Sequence, residues 1–260
     1  MIGHVLAAIT RDISPAMASC ELTHLPRTPI DLDRARAQHR DYERALAEAG
    51  CRVERLPAGP DMPDAVFVED IAIVLDELAI ITRPGAESRR VEVPALAAAL
   101  EPHRRLRFIA APGTVDGGDV LICGRRMFVG VSSRTNAEAI AEIRQIVAPH
   151  GYTVCAVRVR GCLHLKSAVT AVGDDTLLVN PQWIATESLG GFRFIEVDPA
   201  EPAAANALRV GDAVIYPSAF PRTAERLARS GVKLRTIDAS EVAKAEGAVT
   251  CCSVIFEAES

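Results

Sequence analysis

The sequence predicts an α/β fold in which five similar units close into a ring. Short runs rich in β-branched or aromatic residues recur five times, as CRVERL from Cys51, LRFIA from Leu106, YTVCAV from Tyr152, FRFIEV from Phe192 and VKLRTI from Val232. They start roughly 40 to 55 residues apart, the spacing of a structural repeat. Each is followed by a polar loop and then two apolar runs joined by a tight turn, the pattern of a hairpin. The fifth unit breaks off after one apolar run, CSVIF, but HVLAAI at the other terminus supplies the missing partner. Pairing the first strand with the last would close the ring and remove the open edges of a linear array. On periodicity alone, a plain α/β sandwich is the competing arrangement.

The hairpins are VEDIAIV with LAIITR, GGDVLIC with MFVGV, HLKSAVTAV with TLLVN, and AANALRV with AVIYP, joined through Gly- or Asp-bearing connections. Helices follow several of them. In RTNAEAIAEIRQIV, Thr135 with Glu138 three residues on predicts a capping box, and Ile140, Ile143 and Val147 share one face. PALAAALEP opens with Pro94 in a first helical turn, and PRTAERLARSG stops at Gly231. An early charged helix, DLDRARAQHRDYERALAEAG, stops at Gly50.

Composition bounds the function. The chain has 260 residues, 49% of them apolar and 24% charged, with a net charge of −5, so it can bury a substantial core and has no basic surface for nucleic acid. No apolar run approaches the ~18 residues of a membrane span. The seven cysteines are an odd number with no CxxC, HExxH or zinc-site spacing, which predicts free thiols, no metal and a reducing, cytoplasmic setting. Cys51, Cys123 and Cys155 read as small buried hydrophobes. Whichever terminus-to-terminus pairing closes the ring, residues 1–260 are expected to form one domain.

In such a ring the polar loops converge on the axis. They carry Asp64, Glu69 and Asp70, then Asp116 and Asp119, then His164, then Asn206, then Cys251. Cysteine is the strongest nucleophile of this set, a histidine can carry its proton, and a carboxylate can orient the imidazole. Further buried carboxylates need a positive partner, and the loops hold no lysine cluster. A cationic ligand fits, and a guanidinium matches a carboxylate pair with its planar fork. Arg89 and Arg134, at hairpin-to-helix junctions, are either solvated surface charges or a clamp for a carboxylate, the latter helped at Arg134 by the adjacent helix N-terminus.

The motifs PDAVFVED (63–70), ITRPGAESRR (81–90), GTVDGGDVLICG (113–124), SSRTN (132–136), LHLKS (163–167), AANALRV (204–210) and GAVTCCSVIF (247–256) stand in one order along nearly the whole chain. Together they resemble the dimethylarginine dimethylaminohydrolases of the guanidine-modifying superfamily. The resemblance implies a five-bladed, pseudo-symmetric α/β-propeller of ββαβ-type repeats. It also implies a cofactor-free C–N hydrolase of linear amidines, acting on a small cationic amino acid. By the same resemblance Cys251 falls on the nucleophile, His164 on the general acid/base and Asp116 on its carboxylate partner. Asp70 falls on the guanidinium-chelating carboxylate with Glu69 beside it, and Phe67 on the pocket wall. Asp64 falls near the substrate α-amino group, and Arg89 and Arg134 on the α-carboxylate clamp. Leu22, in SCELTHLPRTPIDL, matches the backbone carbonyl of a flexible loop that closes over substrate. Asp119 is read as a turn residue rather than a substrate contact. Cys252 is expected to point to the opposite face of a strand from Cys251.

The expected reaction is hydrolysis of Nω-methylated arginine to citrulline and methylamine or dimethylamine through a cysteine thiouronium. An arginine deiminase is the nearest rival, although such enzymes usually carry an inserted helical domain. An agmatine deiminase would give the two arginines nothing to hold, and a non-catalytic guanidine binder would need no nucleophile. A homodimer is carried as the expected assembly.

Overall fold

Alternation along single strands explains the architecture of the chain, whose residues 4–259 are described in a computed structural model. In chain order the elements begin with β1 (His4–Arg11), α1 (Leu32–Glu48) and β2 (Cys51–Leu56). There follow β3 (Ala72–Val74), β4 (Leu78–Ile81), α2 (Val93–Leu100) and β5 (Arg105–Phe108), then β6 (Val120–Cys123), β7 (Arg126–Val131), α3 (Ala137–Val147) and β8 (Thr153–Arg158). The rest are α4 (Leu165–Ala168), β9 (Val169–Ala171), β10 (Thr176–Val179), β11 (Arg193–Glu196), β12 (Leu208–Val210), β13 (Ala213–Pro217), α5 (Pro221–Arg229), β14 (Lys233–Ile237), α6 (Ser240–Ala243) and β15 (Val254–Glu259).

They form five three-stranded sheets, each an antiparallel hairpin with one parallel strand added outside: β3-β4-β5, β6-β7-β8, β9-β10-β11, β12-β13-β14 and β15-β1-β2. The middle strands read as unbroken apolar runs because both their faces are buried, each in a different core. On β4, Leu78 and Ile80 enter one hydrophobic cluster and Ala79 and Ile81 the next. On β10, Leu177 and Val179 face one way and Leu178 the other. Five such clusters, each drawing on two neighbouring sheets, close around the axis and make a five-bladed α/β-propeller. Closure is sealed where β1 pairs antiparallel with β15, His4 opposite Glu259 through Ile9 opposite Val254.

The structure redraws three local expectations. Each outer strand belongs to the hairpin before it, reached by a helical crossover, so the polar loop runs from one blade to the next. A β-strand returning parallel to its predecessor needs such a crossover, which a unit beginning with the outer strand does not provide. Helix α3 is capped by Asn136, whose side chain accepts from Ala139 N, because Thr135 is turned inward to Asp119. Cys251 and Cys252 lie in a turn rather than on β15; the amide of Cys251 and the thiol of Cys252 both donate to the carbonyl of Ala248. The expected stops hold: Gly50 and Gly231 have left-handed φ of +99° and +86°, which residues with a Cβ rarely adopt.

No helix is long and apolar enough to cross a membrane among the described residues, and all seven cysteines are free.

Candidate active site

Loops entering adjacent blades bring Asp64, Phe67, Asp70, Arg89, Arg134, His164 and Cys251 to the wall of one narrow pocket. Asp70 sits in a 3₁₀ turn, Val68–Ile71, and Asp116 immediately precedes another, Gly117–Asp119. The two turns pack so closely that Gly118 donates its amide to Asp70 Oδ1 at 3.0 Å. A Cβ on Gly118 would stand 2.6 Å from His164 Nδ1 and 2.8 Å from Asp70 Oδ1, so the backbone itself forms part of the wall.

His164 precedes α4 and is held from both sides. Its Nε2 is 3.1 Å from Asp116 Oδ2, and its Nδ1 is 3.8 Å from Asp70 Oδ1. Asp116 is fully buried and accepts the amide of Gly85 at 2.8 Å on its other oxygen. Burial alone would depress the imidazole, but the charge of Asp70, the hydrogen bond His164 donates to Asp116 and the charge of Asp119 outweigh it and raise its pKa to about 9. His164 therefore carries its proton at neutral pH. Cys251 behaves in the opposite sense. Burial, joined by the charges of Glu69 and Asp70, pushes its thiol far above the ordinary range. A cation placed between these groups would lower it again.

Asp119 resolves as a buried brace. Its carboxylate accepts from Ser132 Oγ and Thr135 Oγ1, both at 2.6 Å, and from the Leu165 amide at 2.9 Å. It thus ties the SSRTN loop to the residue beside His164.

Two carboxylates already have cations. Arg89, itself buried, donates Nη1 to Asp70 at 2.5 Å, forks onto Glu92 through Nε and Nη2, and reaches the carbonyls of Asp64 and Phe67. Glu69 turns away from its neighbour Asp70, since adjacent residues of a tight turn point apart. Its carboxylate meets Lys166 Nζ at 2.6 Å and Thr250 Oγ1 at 2.7 Å. These groups line an axial cavity of about 570 Å³ and none of them lines the narrow pocket. Asn206 supports this pair by bonding Thr250 and the Lys166 carbonyl. Lys166 and Glu92 were missed in the sequence because single charged residues in two separate segments make no cluster; LHLKS carried the signal only as Lys two residues after His.

Arg134 is nearly buried, 3.9 Å from Asp116 and 3.1 Å from the Thr23 hydroxyl. Asp64 accepts the Glu21 amide with both oxygens, and Leu22, half-buried beside it, lies in the 20–31 loop over the pocket. Phe67 packs against Gly247, where any side chain would collide with its ring. Cys252 faces elsewhere, into a small void beside Tyr42 and Val242. Donor atoms of Asp70, Asp116 and His164 lie within 4.8 Å of one another, but the imidazolium and Arg89 already supply the positive charge that a metal would bring there.

Residues 27–189 match the family model described as N,N dimethylarginine dimethylhydrolase, eukaryotic. The chain is 35% identical over 259 residues to the N(G),N(G)-dimethylarginine dimethylaminohydrolase of Pseudomonas aeruginosa, covering 98% of this chain and 100% of the relative. It is 40% identical over 248 residues to the Streptomyces coelicolor protein of the same name, covering 95% of each. Among solved structures, a cysteine-to-serine variant of the Pseudomonas aeruginosa enzyme complexed with citrulline superposes with a TM-score of 0.93 at 34% identity, over 97% of this chain and 99% of that one. A histidine-to-glycine variant of dimethylarginine dimethylaminohydrolase, as its adduct with S-methyl-L-thiocitrulline, gives 0.91 at 34% identity, over 98% of this chain and 100% of that one.

Proposed function

The chain belongs to the dimethylarginine dimethylaminohydrolase family, and from that membership and the pocket we propose that it hydrolyses Nω-methylated arginine to citrulline and an alkylamine. The observation that carries the reading is that His164, held by Asp116 and raised in pKa, lines one narrow pocket together with the raised thiol of Cys251 and the Asp70 carboxylate. A guanidinium chelated by Asp70 brings the missing cation next to the thiol, which then gives up its proton to solvent.

The thiolate of Cys251 attacks the guanidinium carbon. His164, held by Asp116, gives its proton to the departing amine nitrogen, and the C–N bond breaks to leave a thiouronium on Cys251. The neutral imidazole then takes a proton from water, the hydroxide adds to the same carbon, and the C–S bond breaks to release citrulline. Asp64 receives the α-ammonium group and Arg134 the α-carboxylate. Arg89 serves the carboxylate end chiefly by holding Asp70 and the Asp64–Phe67 turn in place. Leu22 contributes from the loop above, and Phe67 walls the guanidinium end. Glu69 acts from the axial cavity, through Lys166. We place the reaction in a single propeller domain and in the cytoplasm, and carry the homodimer as the assembly.

The test measures citrulline and amine released from asymmetric dimethylarginine, monomethylarginine and arginine. Methylated substrates are expected to give the higher kcat/KM. Preference for unmodified arginine would replace this reading with a deiminase. Cys251→Ser should lower turnover at least about a thousandfold with an unchanged circular dichroism spectrum. No turnover of any of the three by the wild-type chain would leave only a guanidine binder.

A further inference from the structure

Glu246 is the sole non-glycine with a positive φ among the described residues, at +58°. It ends α6 in the position that usually takes glycine: its own amide donates to Ala243 O and the Gly247 amide to Val242 O, a Schellman pair. Glycine stands one residue later, so the left-handed turn is made with a glutamate although that backbone disfavours a Cβ. A strained residue of this kind persists where its side chain is needed.

Its carboxylate has an occupation. It accepts three successive backbone amides of the overlying loop, Thr23 at 3.0 Å and His24 and Leu25 at 2.5 Å each. Consecutive N–H groups converging on one anion form a nest. The same loop is stiffened within itself by Arg27, which donates to the carbonyls of Ala18 and Cys20. Ser88 also donates to the Glu21 carboxylate at 2.6 Å, and the remaining anchors near the pocket are Asp64, through the Glu21 amide, and Arg134, through the Thr23 hydroxyl. In the proposed function both of those groups are recruited by substrate, which takes Asp64 with its ammonium and Arg134 with its carboxylate. Glu246 has no such competitor and lies on the pocket wall.

We propose that Glu246 is a positioning residue that holds the 20–31 loop closed over the reaction pocket, independently of substrate, and so sets how tightly the methylated arginine is retained. This rests on the proposed function for its substrate but not for its catch.

Hydrogen exchange in the free protein reads the catch directly. Glu246→Gly removes the carboxylate while relieving the left-handed strain, so its melting temperature should equal or exceed that of wild type. The amides of Thr23, His24 and Leu25 should nonetheless exchange at least about tenfold faster. KM for asymmetric dimethylarginine should rise about tenfold with kcat within about threefold. Glu246→Gln, which keeps the chain length and strain but loses the charge, should fall between the two. Unchanged protection of residues 23–25 in both variants would overturn the catch, and faster exchange with an unchanged KM would overturn its role in retention. Failure of the wild-type chain to turn over methylated arginines would sink the proposed function while the exchange result still decided the catch.

Discussion

His164 and Asp116 form a buried pair, Nε2 to Oδ2 at 3.1 Å, that leaves the opposite ring nitrogen facing Asp70. One imidazole thus joins the carboxylate that orients it to the carboxylate assigned to the substrate. Its pKa of about 9 is a product of both neighbours, so in the proposed reaction the pair would set the pH range in which a proton is available for the leaving amine.

Asp116→Asn tests that dependence. Removing the bonded carboxylate takes away one of the groups that overcome burial, and the His164 pKa should fall by about one unit or more. The alkaline limb of the kcat profile should move down in pH by the same amount, with a lower maximum. The sign for stability follows from a raised histidine. The stabilisation is fully present below the unfolded value near 6.5 and is lost as pH rises through about 9. Denaturant unfolding at pH 6 and pH 9.5 should show the wild type losing more stability between them than the variant. Identical alkaline limbs would refute the pairing as the source of the shift.

Gly118→Ala tests the backbone wall. The added methyl would meet His164 Nδ1 at 2.6 Å and Asp70 Oδ1 at 2.8 Å, neither of which is the free end of a flexible chain. Displacing an acid by about 1 Å can cost 10²-fold, so kcat should fall by about a hundredfold or more. The amide of residue 118 also bonds Asp70, and its loss should weaken guanidinium chelation and raise KM. A variant with wild-type kinetics would mean that the GGD turn does not shape the pocket.

Lys166→Met tests the Glu69–Lys166 pair. It leaves the Glu69 carboxylate, 11% exposed, without its cation, and an uncompensated buried charge should cost about 2–4 kcal/mol in denaturant unfolding. Adding Glu69→Gln should recover much of that loss, since the amide can still accept from Thr250 without a buried charge. Additive losses in the double variant would show that the two residues do not act as a pair.

Much of the ring was legible because fully buried middle strands leave continuous apolar runs such as LAII and TLLV, and because CSVIF and HVLAAI each lack a partner nearer in sequence. Blade membership of the outer strands was not legible, since RLRF and RFIE carry no mark of whether they pair forward or back. The site's members were visible as polar residues in equivalent loops. Which way each side chain turns was not: Glu69 and Asp70 are neighbours in sequence, yet Glu69 lines the axial cavity and Asp70 the narrow pocket, a consequence of one tight turn. Glu246 was hidden for a related reason, because a left-handed glutamate looks in sequence like any residue before a glycine.

The two adjacent thiols give the last prediction. Turn geometry sends Cys251 into the reaction pocket and Cys252 towards Tyr42, although neither lies on a strand. Cys252→Ala should keep kcat/KM within about twofold and lose about 1 kcal/mol of stability from the small void it enlarges. A cationic haloacetamidine should label the wild type and Cys252→Ala once each, and Cys251→Ser not at all. It should react faster than neutral iodoacetamide at pH 7, because Asp70 holds the cation beside a thiol whose ionisation burial opposes. With the neutral reagent, the rate should climb with pH throughout the accessible alkaline range, as expected of a thiol raised above its ordinary value. Labelling that persists in Cys251→Ser would move the reactive thiol to its neighbour and overturn the assignment of the nucleophile.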